Sequence, residues 1–145
     1  MILLLLGFIF KDIIFVKKAV ISNSNSEISI KYPSLSFKYD KDKQTVTSKD
    51  TIITFNIKDD LDENTTYELL SGYKKMAYNG QIKKYASYEG LYCYNNKENR
   101  YEIMIKIDDK SYVDIYIESK EKNKIEETIN SKKVQKILQS INIEK

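Results

Sequence analysis

The strongest hydrophobic pattern in the chain is a pair of alternating stretches on either side of a short polar turn. In residues 101–107 apolar side chains occupy every second position, and the same alternation returns in residues 113–117. Such alternation is typical of strands that have one buried face. The pattern predicts an antiparallel β-hairpin over residues 100–118, and its expected core positions are Ile103, Ile105, Val113 and Ile115.

Further strands are predicted ahead of this hairpin. Short alternating stretches lie on either side of Pro33, and residues 51–57 form a β-branched run that favours a strand. Residues 82–88 and 91–95 are predicted as two strands that a turn at Glu89-Gly90 connects. With the hairpin, these last two strands predict a four-stranded antiparallel meander.

Two amphipathic helices are predicted, one before the meander and one after it. The first covers residues 65–77 and begins at a capping-box sequence, Thr65 to Glu68, although Gly72 inside it costs about 1 kcal/mol relative to Ala. The second covers residues 132–141 and follows a serine that can act as its N-cap. The apolar positions, which fall on one side of each helix, are Leu69, Leu70, Tyr73, Met76 and Ala77 in the first and Val134, Ile137, Leu138 and Ile141 in the second.

These elements predict the α+β class, with helices packed on an antiparallel β-sheet. A lone hairpin is marginally stable in water, so its apolar face needs a cover. The chain has 145 residues and can bury a core without disulfides or metals. We expect one α+β domain over residues 27–145.

The first part of the sequence differs from the rest because it carries a hydrophobic run. Residues 2–10 are apolar without interruption, Lys11-Asp12 interrupts the run, and Lys17-Lys18 follows it. As a helix, residues 2–16 would span about 22 Å, which is less than the roughly 30 Å hydrocarbon core of a bilayer. Residues 1–21 are predicted to be a signal or anchor-like segment that associates with a membrane through residues 2–16. The alternative is that this run packs into the domain.

The polar sequence SNSNS, residues 22–26, is predicted to be a linker. A chain that begins near Ser22 is then expected to fold as stably as the whole chain. By the positive-inside rule, a stable anchor followed by Lys17-Lys18 would leave the domain in the cytoplasm. The shortness of the run favours an exported or membrane-associated protein instead, and packing of the run into the domain would make the protein cytoplasmic.

The residue composition excludes several kinds of site. The sequence has no His and one Cys, Cys93, so His-dependent nucleophilic catalysis, thiolate metal clusters and internal disulfides are removed. Cys93 is expected to be buried and inert. The net charge of +3 is too small to indicate a nucleic-acid partner. We expect no enzyme, no cofactor, no metal and no nucleic acid; the acidic run 59–63 suits a helix N-terminus, with metal binding as its alternative.

Tyrosine is the residue type whose distribution points most directly to a binding surface. The chain has 12 tyrosines, and several lie in or beside the predicted meander. Cross-strand packing is the simpler interpretation of this concentration. The alternative is a Tyr-rich sheet face that stacks on a sugar or anchors a protein. The candidate contact residues are Tyr85, Tyr92, Tyr94, Tyr112 and Tyr116.

Two stretches of the sequence resemble a known family. The opening ISIKYPSLSFKY, residues 28–39, and the closing KVQKILQSINIEK, residues 133–145, resemble the PsbP-like proteins, although this chain lacks the Trp that the opening often carries. That family includes the photosystem II extrinsic protein P, a Ran-binding import factor and many small exported bacterial proteins. The resemblance covers roughly residues 27–145. It implies an α/β/α sandwich used for protein contacts rather than catalysis, and it carries over no functional residues.

These observations lead to one functional expectation and one alternative. The expectation is a non-enzymatic, exported or envelope-associated domain that contacts an unidentified protein partner. The alternative is a module that binds a sugar or cell-wall polymer through the Tyr-rich face.

Overall fold

The computed structural model describes residues 15–144, and this part of the chain consists mainly of strands. The strands lie in stretches that contain β-branched or aromatic residues, which favour strands. The strands are β1 (Val16–Ser22), β2 (Glu27–Pro33), β3 (Lys38–Asp40), β4 (Thr45–Thr47), β5 (Thr51–Lys58), β6 (Gln81–Tyr85), β7 (Tyr88–Asn95), β8 (Arg100–Asp108), β9 (Ser111–Ser119) and β10 (Asn142–Glu144). The helices are α1 (Tyr67–Ala77), α2 (Ile125–Asn130) and α3 (Lys132–Leu138).

The strands form two antiparallel sheets. The large sheet has seven strands in the order β3-β4-β5-β9-β8-β7-β6, and the small sheet has the order β1-β2-β10. The predicted meander is therefore present as β6 to β9, and β5 joins it on the far side of β9. The α+β class with antiparallel sheet is confirmed.

The hydrophobic core lies between one face of the large sheet and a cover made of α2, α3 and the small sheet. In the β8–β9 hairpin, Ile103 is opposite Ile115 and Ile105 is opposite Val113, as the alternation predicts. Burying this face removes its apolar side chains from water, which is the main stabilising term in folding. The four hairpin positions expected in the core, Ile103, Ile105, Val113 and Ile115, are all buried, and so are Ile137 and Leu138 on the predicted apolar side of α3.

The turn between β6 and β7 is not where the sequence places it. It lies at Ala86-Ser87, and Glu89-Gly90 is part of β7. Gly90 faces the core, where an added Cβ would come within 3.0 Å of both Ile103 and the Tyr85 ring. The predicted turn is wrong because the chain does not reverse at Gly90. The glycine is instead explained by the Ile103 and Tyr85 side chains, which lie too close to leave room for a Cβ.

The helix boundaries also differ from the predicted ones. The cap of α1 is Thr66, whose hydroxyl accepts a hydrogen bond from the Leu69 amide at 3.3 Å, so the helix begins two residues later than predicted. The helix predicted over residues 132–141 ends at Leu138, and the chain then returns to pair with β2 as β10. Helix α2 lies in a polar tract in which no helix was predicted.

The N-terminal boundary of the folded region differs most from the predicted one. β1 pairs with β2 along its whole length, and Ala19 and Ile21 lie in the core. The stretch 22–26 is the turn of this hairpin, where the Asn23 side chain accepts a hydrogen bond from the Ser26 amide at 3.1 Å. The described fold therefore includes β1, and residues 22–26 connect β1 to β2 within the small sheet.

Most of the predicted signal or anchor-like segment, residues 1–14, lies outside the described residues. Among the residues that are described, no helix is both long enough and apolar enough to cross a membrane.

Candidate functional site

Helix α1 lies on the face of the large sheet opposite to α2 and α3. Leu91, Met104 and Tyr112 point to this face and form a small apolar cluster, against which Tyr67 and Leu70 of the helix pack. The Tyr67 hydroxyl donates a hydrogen bond to the Met104 carbonyl at 3.3 Å. No residue of α1 is fully buried. The apolar contribution to its attachment is therefore small.

An ionic cluster provides most of the remaining attachment. The Lys74 ammonium of α1 lies 2.6 Å from Glu102 Oε2 on β8 and 3.0 Å from Asp114 Oδ2 on β9. Both carboxylates are buried beneath the helix, whereas the Lys74 side chain is 19% exposed. A further pair, Lys106 with Glu68 at 2.7 Å, is more exposed. Since exposed pairs contribute little, Lys74 is the main polar anchor of α1.

The same two carboxylates receive hydrogen bonds from within the sheet. Arg100 Nε and Asn95 Nδ2 each lie 2.9 Å from Glu102 Oε1. The Tyr116 hydroxyl donates to Asp114 Oδ2 at 3.0 Å, and the Arg100 guanidinium lies 3.7 Å from the centre of the Tyr116 ring. Asp114 Oδ1 is buried and has no hydrogen-bonding partner among the described residues.

The pKa values follow from this arrangement. Burial alone would raise the pKa of Glu102, but hydrogen bonds from Lys74, Asn95 and Arg100 outweigh it and hold that pKa below its usual value. For Asp114 burial outweighs the attraction of Lys74, so its pKa is raised. Burial would lower the pKa of Lys74, but Asp114 and Glu102 raise it, so the ammonium stays charged.

The charges of this cluster compensate one another across the contact between α1 and the sheet. Both carboxylates are held in ion pairs, and the two cations Lys74 and Arg100 balance their charge. Within the described part of the chain, no group of three or more His, Cys, Asp or Glu side chains is arranged to hold a metal ion. The arrangement positions α1 on the sheet through the ion pairs of Lys74.

The outward side of α1 is apolar. Leu69, Tyr73 and Met76 are 59%, 64% and 88% exposed, and their i, i+4, i+7 spacing places them on one stripe of the helix. Ile82 of β6, which is 55% exposed, lies on the helix-bearing face of the sheet. We call Leu69, Gly72, Tyr73 and Met76 the α1 stripe.

Gly72 lies in the middle of the α1 stripe. A Cβ added there would meet nothing within 4 Å, so no contact among the described residues requires a glycine. Glycine in a helix interior costs about 1 kcal/mol relative to alanine. The described fold therefore does not explain this glycine.

The five candidate tyrosines do not share one face. The strand registers place Tyr85, Tyr92 and Tyr94 on the core side of the large sheet and Tyr112 and Tyr116 on the α1 side. Tyr85 and Tyr112 are also buried. These five residues are therefore divided between the two faces of the large sheet.

Three partly exposed tyrosines still form a smaller cluster. The Tyr101 ring stacks on Tyr92 at 5.0 Å between centroids and lies 5.1 Å from the Tyr94 ring at a tilt. The Tyr94 hydroxyl donates to Asn99 Oδ1 at 2.7 Å, and the Lys83 ammonium lies 3.6 Å from the centre of the Tyr92 ring. These contacts fit cross-strand packing, which was the simpler interpretation.

Cys93 is buried on the α1 side of the sheet, as predicted. Burial, with a smaller effect from the Glu102 carboxylate, raises the pKa of its thiol to about 11. A thiol with such a pKa is almost entirely protonated at neutral pH and is a poor nucleophile. Its lack of reactivity in solution stays a prediction.

Sequence reasoning missed the ionic cluster. Glu102 and Asp114 alternate with core residues, so the pattern alone places them on a solvated face. Lys74 was one of many lysines, and only the docking of α1 shows its role.

Comparison of the chain with known proteins found no matching family model, no similar characterised protein and no similar solved structure.

Proposed function

We propose that this protein is a non-catalytic, envelope-associated domain that binds another protein by placing helix α1 in an apolar groove of that partner. The observation that carries the proposal is the α1 stripe. Leu69, Tyr73 and Met76 have the spacing with which helices anchor in such grooves. Exposed apolar patches rimmed by polar residues are characteristic of interaction sites.

Gly72 supports the same proposal. A glycine between Leu69 and Met76 leaves a notch in the stripe that lets the backbone or a large side chain of a partner approach closely. Such an approach gives a reason for a residue that otherwise lowers helix stability.

The edge strand β6 argues against a partner that binds by adding a strand to the sheet. It carries Lys83 and Lys84, and lysines on an edge oppose strand pairing. The Gln139 side chain of the α3 C-cap also donates to the Lys84 carbonyl at 3.0 Å and accepts from the Ala86 amide at 2.8 Å. The partner is therefore expected to contact the helix and not the strand edge.

The test begins with a photo-crosslinking amino acid in place of Met76, and a second protein with the same group in place of the exposed Lys97. In cells that produce this protein, Met76 should give a discrete protein adduct and Lys97 should not. The partner is then purified, and its affinity is measured by calorimetry. Absence of a specific adduct at Met76 contradicts the proposal.

Gly72→Ala provides the sharper measurement. It should raise the free energy of unfolding by up to about 1 kcal/mol, yet weaken partner binding at least tenfold because its methyl group fills the notch. Ser71→Ala, in the same helix but outside the stripe, is the matched control and should bind as wild type. If both variants bind equally well, α1 is not the contact surface.

We also propose that the overall arrangement is PsbP-like. Helices on both faces of a central antiparallel sheet support this, as the α/β/α sandwich of that family requires. An experimental structure of this chain superimposed on a PsbP-like protein tests the proposal, and a different strand order in the central sheet would overturn it.

A further inference from the structure

The α1 stripe is complementary to itself when two copies of the helix run antiparallel. An α-helix rises about 1.5 Å per residue, so residues at equal distances on either side of a two-fold axis meet across an antiparallel pair. An axis that passes between Gly72 and Tyr73 places Leu69 opposite Met76 of the second copy. The same axis places Gly72 opposite Tyr73 of the second copy. One register therefore pairs all four residues of the stripe.

The glycine gives this packing the room that it needs. Packed helices lie about 8–10 Å apart, depending on the side chains at the contact. Gly72 is exposed and has no side chain, so the Tyr73 ring of the second copy can lie over its backbone. Tyrosine is suited to such a contact because its large, rigid ring loses little conformational entropy on binding. The notch and the residue that fills it are thus supplied by one sequence.

The charges on one flank of the helix favour the same register. Glu68 and Lys75 are seven residues apart, which is about two turns, so both lie on one flank of α1, and both are exposed. A two-fold axis perpendicular to the helices brings this flank of each copy together in opposite directions. Lys75 then comes within about 3 Å, measured along the helix axis, of Glu68 in the second copy. A parallel pair would instead bring equal charges together.

Both charged groups are available for this contact. Among the described residues, no ion pair involves Lys75. Glu68 is paired with Lys106 at 2.7 Å, but a carboxylate has two oxygens and can accept from a second cation. The antiparallel register therefore adds two ion pairs to each dimer, one on each side of the axis.

We propose that two copies of the free protein associate through antiparallel α1 helices and that this dimer covers the α1 stripe until a partner binds. The contact uses one helix of 11 residues, and interfaces below about 1,200 Å² are typical of weak, transient association. A weak dimer shields the apolar side chains from water and dissociates when a partner offers a deeper groove. This inference goes beyond the proposed function because it concerns the protein without its partner.

The first test is sedimentation equilibrium of the purified full chain. It should show a monomer–dimer equilibrium with a dissociation constant on the order of 10–100 µM. Leu69→Ala should weaken association at least about tenfold, because each dimer loses two leucine contacts. The matched control is Leu35→Ala, since Leu35 is 56% exposed and Leu69 is 59% exposed, and it should associate as wild type. A monomer up to about 1 mM, or equal weakening in the two variants, overturns the proposal.

The second test measures the direction of the helices. One chain carries Leu69→Cys and another carries Met76→Cys, while the native Cys93 is buried. When equal amounts are mixed in a glutathione redox buffer, the disulfide between the two different chains should exceed its statistical share. An excess of the two symmetric disulfides, or a purely statistical mixture, contradicts the antiparallel register.

The third test reverses the flank charges. Lys75→Glu should weaken association at least about threefold, because it places two like charges together on each side of the axis. Adding Glu68→Lys to that variant should restore association. Lys97→Glu makes the same change of net charge at an exposed position outside α1 and should have little effect. Equal effects of Lys75→Glu and Lys97→Glu, or no restoration in the double variant, contradict the predicted ion pairs.

The dimer and the partner complex can be tested separately although both use the α1 stripe. In the crosslinking experiment at Met76, a dimer gives a product of twice the mass of the chain, whereas a partner gives a product that contains a different protein. A monomeric purified protein leaves the partner proposal in place, and absence of a foreign adduct leaves the dimer in place. Added partner should dissociate the dimer, and a complex in which α1 still joins two copies would contradict their mutual exclusion.

Discussion

The two faces of the seven-stranded sheet are covered by different kinds of interaction. On one face α2, α3 and the small sheet enclose a continuous apolar core. On the other face α1 is held by a small apolar cluster and by the ion pairs of Lys74. A helix that docks through a charged anchor can keep its apolar residues on the outside. The α1 stripe is the result.

The largest effect is expected from removing β1, which belongs to the apolar side. A chain that begins at Glu27 loses the buried Ala19 and Ile21 and exposes the edge of β2. It should fail to fold cooperatively, whereas a chain that begins at Phe15 should give a single unfolding transition by circular dichroism. This expectation is opposite to the one drawn from the sequence. A cooperatively folded chain lacking β1 would show that the small sheet is dispensable.

On the α1 side, Lys74→Ala should lower the free energy of unfolding by about 3–5 kcal/mol, because it leaves Glu102 and Asp114 buried without their cation. Urea denaturation measures the loss. Replacing Lys74, Glu102 and Asp114 together by apolar residues of similar size should recover much of it. If Lys74→Ala costs less than 1 kcal/mol, α1 is held mainly by its apolar contacts.

On the apolar side, Leu138→Ala should lower the free energy of unfolding by about 2–5 kcal/mol through lost burial and the cavity left behind. Leu138 is fully buried, so its surroundings can relax only in part. Leu69→Ala, which changes the same side chain on the exposed stripe, should change stability by less than about 1 kcal/mol. Similar losses in the two variants, measured by urea denaturation, would remove the contrast between the two faces.

The smallest effect is a pH dependence that belongs to the α1 side. The pKa of Glu102 is lower in the folded protein than its usual value of 4.5. Its contribution to stability is therefore present above that pH and is lost as the pH falls through the folded pKa. The stability difference between wild type and Glu102→Gln, measured by urea denaturation at several pH values, should shrink from pH 6 toward pH 3.

Asp114 should show the opposite trend because its pKa is raised in the folded protein. Its contribution is present below its usual value of 3.8 and is lost as the pH rises through the folded pKa. The stability of wild type relative to Asp114→Asn should therefore fall as the pH rises. Parallel trends for the two variants would contradict the assignment of the two carboxylates.

The sequence predicts well those parts of the fold in which the pattern is local. Alternation in residues 100–118 identifies the β8–β9 hairpin and its buried positions, because a period of two decides which side chains share a face. The apolar spacing of α3 likewise identifies the side that is buried. Local patterns identify elements, but they do not say which neighbour covers them.

The parts that the sequence mispredicts depend on distant residues. In the sequence Gly90 has the character of a turn residue, and only its contact with the Tyr85 ring explains it as a strand residue. Ala19 and Ile21 likewise read as the end of a membrane segment, and only the pairing of β1 with β2 assigns them to the core. By sequence pattern Glu102 and Asp114 occupy positions typical of a solvated face. Only the tertiary structure shows that α1 covers them and that Lys74 forms ion pairs with both.

The sequence by itself therefore determines the antiparallel α+β class, the central hairpin and the buried helix residues Ile137 and Leu138. Only the tertiary structure decides which side of α1 faces the sheet and which tyrosines share a face. The physical reason is that periodicity reports the burial of one element, whereas ion pairs and exposed surfaces arise from elements that are far apart in the chain.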